Sequence, residues 1–178
     1  MLYIEDEDFL SKEQKKYIDD VLCGGVIPFF HNSSSVHGTD NYSFLTHVIV
    51  KRRHERKTPD EINSPQFEFM KSILDSFCDN HNIKYNEILR CAINYTYHNG
   101  AEASPIHIDE EDKHKQLIVY LNQPEDLNSK TVILDDDSKT ILKSITPKIF
   151  KGVCFDDKPH YAIYPKIGHR VIGVFTFR

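Results

Sequence analysis

The chain has 178 residues, a formal net charge of −5, and 39% hydrophobic and 11% aromatic residues. That apolar share fills the core of one domain spanning residues 1–178 and excludes a disordered chain, while the negative balance argues against a protein built to coat nucleic acid. No apolar run approaches the roughly 20 residues of a membrane span, the start (Glu5, Asp6, Glu7, Asp8) is acidic where a signal peptide is basic, and four scattered cysteines without a C-x-x-C pair fit neither structural zinc nor a disulfide framework, so a cytoplasmic protein is expected.

In chain order, Ser11 and Gln14 form a capping box that opens a helix running to about Leu22, with Tyr17, Ile18, Val21 and Leu22 on its apolar side and Gly24-Gly25 at its end. Residues 28–40 read as a loop and a candidate active-site rim carrying His31 and His37. Residues 42–50, rich in β-branched and aromatic side chains, read as a strand. Five cations then fall within residues 51–57. A solvated turn is the expected reading, with a grip on phosphates as the alternative. Ser64-Pro65 starts a second helix whose Phe67, Met70, Ile73, Leu74 and Phe77 recur at helical spacing and pack on a sheet. From residue 88 the pattern becomes eight short strands, near 88–97, 104–109, 115–122, 130–134, 139–145, 149–155, 159–164 and 169–177, separated by turn residues. The expected class is mainly β, a jelly roll or barrel over 88–178 supported by N-terminal helices, a strand and the rim loop over 1–87. Asp135-Asp136-Asp137 lacks the pattern of a calcium loop and reads as a solvated hairpin turn.

The chemistry centres on His107-Ile108-Asp109. On a strand, His107 and Asp109 share one face while Ile106 and Ile108 share the other, so one imidazole and one carboxylate can meet the same ion. A second histidine from far along the chain completes a facial triad that leaves three positions open on Fe(II). His160 is the best third ligand, because it follows one apolar strand and opens another. His169 sits beside Arg170 and points to the opposite face, and His114 lies in a charged loop. Arg170 shares a strand face with Ile172, Val174 and Thr176. An arginine buried there needs an anion, and its planar fork suits a carboxylate. Tyr97 shares a face with Ile93 and Tyr95, Tyr120 with Ile118, and a buried tyrosine hydroxyl needs a partner.

Tyr97-His98-Asn99-Gly100, His107-Ile108-Asp109, Val119-Tyr120-Leu121-Asn122, and His160 with Arg170 ten residues later fall in one order. Over residues 89–178 this resembles the Fe(II)/2-oxoglutarate-dependent dioxygenases, in their prolyl 4-hydroxylase-like branch. The resemblance implies a double-stranded β-helix (jelly roll) and iron held by His107, Asp109 and His160. It implies 2-oxoglutarate bound through Arg170 with Tyr97 and Tyr120, and O2 as the other cosubstrate, with ascorbate a candidate addition. The implied reaction hydroxylates a C–H bond of a peptidyl or amino-acid substrate and releases succinate and CO2. A nucleic-acid demethylase of the same superfamily and a non-catalytic metal-binding jelly roll are the alternatives.

The sequence departs from this branch where many members carry a Gly-Gly pair. Asn128-Ser129-Lys130 stands there instead, away from the expected iron and cosubstrate sites, and weakens any assignment of proline as target. The short interval from His160 to Arg170 favours the hydroxylase branch over the demethylases. Glu110, Glu111 and Asp112 beside Asp109 would repel a phosphate backbone, so a peptide or amino-acid partner is expected and a nucleic acid is not.

Overall fold

A computed structural model describes residues 2–34, 40, 42–58 and 61–178. The expected rim therefore lies partly outside the described residues, including His37. Ser11 caps the first helix as its spacing predicts: Ser11 Oγ accepts from the Gln14 N–H (3.1 Å) and Gln14 Oε1 from the Ser11 N–H (2.9 Å). This helix, α1 (Lys12–Tyr17), passes into a π turn over Ile18–Leu22 that buries Ile18 and Leu22. Gly25, at a φ of 78°, turns the chain away. The second helix, α2 (Phe67–Asn80), buries Met70, Ile73, Leu74, Phe77 and Cys78 along one stripe. Full burial of each large apolar side chain in that stripe contributes about 1.5–3 kcal/mol.

The strands are β1 (Tyr3–Asp6), β2 (Phe30–Asn32), β3 (Phe44–Val50), β4 (Ile88–Tyr97), β5 (Lys115–Tyr120), β6 (Thr131–Leu134), β7 (Ile141–Ile145), β8 (Gly152–Asp156), β9 (His160–Ala162) and β10 (His169–Phe177). They form a seven-stranded sheet in the order β1-β8-β5-β10-β4-β3-β2 and a three-stranded sheet in the order β7-β6-β9. Every pairing is antiparallel.

Alternation gives the large sheet two different faces. Leu117, Val119, Cys154, Val171, Phe175 and Phe177 pack on α1, α2 and the π turn. Ile118, Tyr120, Val153, Phe155, Ile172 and Val174 face inward, where Ile133 and Ile145 of the small sheet meet them. Gly152 sets the distance between β8 and α2. A Cβ there would lie 2.8 Å from ring atoms of both Phe77 and Phe9, which themselves meet edge to face at 5.1 Å.

Two features differ from the sequence expectations. The short edge strands β1 and β2 add to the large sheet. The expected strand 104–109 does not form. Its stretch meets the small sheet only at isolated bridges, Ala103 with Ile163 and His107 with His160. Pro105, between them, has no amide to extend a ladder. Residues 53–55 make an exposed 3-10 turn after β3, in keeping with the expected solvated turn, while Arg52 just before it turns inward to Asp109. Asp135, Asp136 and Asp137 do form the hairpin turn between β6 and β7, where Asp137 accepts from the N–H groups of Lys139 and Thr140 and Lys158 pairs with the other two.

Candidate active site

A cavity of about 380 Å³ opens between the sheets, and His107, Asp109, His160 and Arg170 all line it. His160 is the first residue of β9, paired with Ile133 inside the small sheet. The bridge between His107 and His160 is reciprocal, with each amide donating to the other's carbonyl at 3.0 and 2.9 Å. It brings the imidazole centroids to 4.5 Å. One donor atom from each of His107, Asp109 and His160 lies within 4.8 Å of the others.

Both imidazoles are oriented in the same way. His107 Nδ1–H donates to the Pro105 carbonyl and His160 Nδ1–H to the Lys158 carbonyl, each at 3.0 Å. A carbonyl only accepts, so Nδ1 carries the proton and Nε2 faces the centre, where each ring in its neutral form offers a lone pair. Asp109 Oδ2 lies 3.4 Å from His160 Nε2. Its Oδ1 is held from behind by Arg52 Nη2 at 3.2 Å and, more distantly, by Arg90 Nη1 at 3.7 Å. Burial, with His160 beside it, pushes His107 down to about 4, so it stays neutral near pH 7. Burial raises Asp109, but its hydrogen bond with His160 and the charges of His160 and Arg90 outweigh this and hold it well below the usual carboxylate range. Burial works against protonated His160, yet Asp109 more than compensates and raises it. Two neutral-capable imidazoles and one ionised carboxylate, converging on one point and open to a cavity, are a donor set that suits Fe(II).

Arg170 is 1% exposed. Its Nη1 donates to the carbonyls of Ser129 (2.9 Å) and Lys130 (3.5 Å), and its Nε has no hydrogen-bond partner. Among the described residues no carboxylate lies within 4 Å of it, so it is not part of a structural salt bridge. Tyr120, pushed up by burial and close enough to feel the arginine's charge, donates to Thr131 Oγ1 at 2.9 Å. The carbonyls that hold Arg170 belong to Asn128-Ser129-Lys130. The departure from the Gly-Gly pattern therefore touches the candidate cosubstrate end directly, contrary to the sequence expectation.

The structure does not bring Tyr97 to the cavity. In the β4–β10 register Arg170 pairs with Thr96 and His169 with Tyr97. Tyr97 thus shares the outer face with His169 and Tyr95, and its hydroxyl lies 3.2 Å from Ser43 Oγ. Thr96 takes the inner position beside Arg170.

The sequence reading passed over Arg90 and Gln116, which line the cavity from β4 and β5, and gave Arg52 no role at the ligand. Arg52 sits in the basic run, the one local signal for it. The run's other arginines are also engaged: Arg53 with Glu87 and Asp112, and Arg56 with the carbonyls of Lys51, Ile88 and Leu89. Lys51 pairs with Glu61 at 2.8 Å. Of the loop acids, Glu110 lies 3.5 Å from Arg52 and Asp112 3.3 Å from Arg178. Asn32, Ser33 and Ser34 line the cavity mouth, so the described part of residues 28–40 does contribute a rim.

No protein-family model and no curated protein matches the sequence. Solved structures do match the fold. An oxidoreductase of the 2OG-Fe(II) oxygenase family from Burkholderia pseudomallei superposes with a TM-score of 0.76 at 14% identity, over 98% of this chain and 84% of that one. A prolyl hydroxylase from Trichoplax adhaerens, in complex with a hypoxia inducible factor oxygen degradation domain peptide fragment, gives 0.64 at 16% identity over 98% and 83%. A prolyl-4-hydroxylase from Pseudomonas putida gives 0.60 at 15% identity over 99% and 92%. The architecture is the jelly roll of these oxygenases, as the resemblance implied.

Proposed function

We propose that this chain is an Fe(II)- and 2-oxoglutarate-dependent hydroxylase acting on a peptidyl or amino-acid substrate. The observation that carries the reading is the pairing, within one cavity, of the His107–Asp109–His160 donor set with Arg170, a buried guanidinium that has no acidic partner among the described residues. Either feature alone has a structural explanation. Together they supply a metal site and an anchor for a dicarboxylate.

Bound iron supplies the redox chemistry that couples oxidative decarboxylation of 2-oxoglutarate by O2 to hydroxylation of a substrate C–H, giving succinate, CO2 and the alcohol. The chain's own part is orientation. His107 and His160 present Nε2 because their Nδ1 protons are committed to backbone carbonyls. Asp109 stays ionised and turns Oδ2 to the site because Arg52 holds Oδ1. Arg170 offers its Nε–H and charge to the distal carboxylate of the cosubstrate, with Tyr120 and Thr131 beside it. Ile118, Ile172 and Val174 line the space between them with apolar surface.

The likeness to a prolyl hydroxylase solved with a peptide fragment supports a peptide or amino-acid target. The commitment of Arg52, Arg53 and Arg56 to contacts within the protein counts against the demethylase alternative, because few cations of that run are left to grip phosphates. The test is a succinate-release assay, with and without ascorbate, against peptides, free amino acids and methylated oligonucleotides. Release stimulated by a peptide or amino acid, and lost in His160→Ala, supports the reading. Release stimulated by an oligonucleotide alone would replace it with the demethylase.

A further inference from the structure

The inner face of the large sheet is polar at both ends and apolar between them. Arg170, Thr96 and Tyr120 stand at one end, and Ile172, Val174 and Ile118 follow. At the other end Thr176 lies between its pairing partners Arg90 on β4 and Gln116 on β5. Arg170 and Thr176 are separated along β10 by about 20 Å, at roughly 3.4 Å per residue. A five-carbon dicarboxylate anchored at Arg170 cannot also occupy the far end.

The far end holds one unanswered donor and one weakly held charge. Gln116 is 1% exposed. Its Oε1 accepts from Thr176 Oγ1–H at 2.9 Å, which fixes the amide, and its Nε2 has no partner. Arg90 has one ion pair among the described residues, with Asp109 Oδ1 at 3.7 Å, and Arg52 already occupies that oxygen at 3.2 Å. A metal ion at Asp109 would draw further on the same carboxylate and leave the Arg90 charge less compensated. Glu55, at the mouth, is about half exposed and accepts from the Arg52 N–H at 3.3 Å, so it adds only a weak charge contribution at Arg90. A prolyl ring placed here would leave the Gln116 amide without a partner and the Arg90 charge only weakly compensated, which is costly.

Building on the dioxygenase reading, we infer that Arg90 and Gln116 form a subsite for a carboxylate of the substrate. The acid group is held between the guanidinium and the amide, and the reacting C–H faces the His107–Asp109–His160 centre. The carboxylate comes either from a free amino acid or from an acidic side chain within a peptide.

The test is calorimetric titration of protein loaded with Mn(II), which binds without turnover, and saturated with 2-oxoglutarate. One arm uses the free L-amino acids and their α-amides. The other uses N-acetyl, C-amidated aspartate and glutamate against asparagine and glutamine. The expected result is that at least one acid binds and its amide binds at least tenfold more weakly. Arg90→Met and Gln116→Leu, each shown to be folded by thermal melting, should lower that acid's affinity at least tenfold with 2-oxoglutarate affinity unchanged. If Arg90→Met does not fold, the acid–amide contrast and Gln116→Leu decide alone. Equal binding of acid and amide overturns the inference, as does absence of acid binding while 2-oxoglutarate binds. Failure of 2-oxoglutarate itself to bind the Mn(II) protein instead overturns the dioxygenase reading.

Discussion

Arg52 holds Asp109 at two points, donating through Nη1 to its backbone carbonyl and pairing through Nη2 with Oδ1 at 3.2 Å. A side chain more than fifty positions away thus fixes both the backbone and the outer oxygen of a candidate metal ligand. Arg52→Met is expected to lower Mn(II) affinity by about 10–100-fold, the usual effect of removing a group that orients a ligand. Competition against a chelator measures it. Unchanged affinity, in a protein that still melts cooperatively, would reduce Arg52 to a clamp on the 109–112 loop.

Arg170→Ala should weaken 2-oxoglutarate binding by about 2–4 kcal/mol, because the distal carboxylate would lose a desolvated, charge-assisted partner. Metal binding should survive, since Arg170 makes no contact with the three ligands. Calorimetry on the Mn(II) form reads both quantities. Full 2-oxoglutarate affinity in the variant would return Arg170 to a structural role, holding the carbonyls of Ser129 and Lys130.

Gly152→Val places a branched side chain where a single Cβ already comes within 2.8 Å of the rings of Phe9 and Phe77. Those rings are pinned between α2 and the sheet. The expected loss of stability is about 1–3 kcal/mol. Urea unfolding would show a lower midpoint, and wild-type stability would mean that the N-terminal segment carrying Phe9 can shift aside.

Glu87 is held below its ordinary value of 4.5, first by its hydrogen bond with Arg53 and also by Arg178. With the folded value depressed, its contribution is present above the unfolded value and disappears as pH falls through the folded one. The site is part-exposed, so Glu87→Gln should cost only about 0.2–1 kcal/mol at pH 7. The gap between variant and wild type in urea midpoint should close below pH 4.5. A gap that persists in acid would show that the carboxylate's charge is not its source.

Much of the candidate metal site was legible because its signals are local. The two-position spacing of His107 and Asp109 and the placement of His160 at a strand start survive even though 104–109 forms no strand. Ile106 and Ile108 still point outward, each 48% exposed. Tyr97 shows the limit of that reasoning. Its company with Ile93 and Tyr95 was correct, but which face those residues share depends on the register of β4 against β10, set by residues more than seventy positions away. Arg90 and Gln116 were hidden for the same reason. Neither stands in a motif, and only the pairing of Thr176 with both brings them to one place. The edge strands β1 and β2 were missed because segments of four and three residues carry no alternation long enough to read.

The two bridges that tie Ala103 and His107 to the small sheet leave the backbone around them without a ladder. Such a stretch opens by local fluctuation well before the whole protein unfolds. A cation shared by His107, Asp109 and His160 would act as a third rivet on this strip, linking it to β9 through side chains where main-chain bonds are few. Deuterium uptake at the His107 and His160 amides would then slow on adding Mn(II), while uptake deep in β10 stays the same. The reciprocal pair of amides becomes a clock for occupancy of the site, readable before any substrate is known.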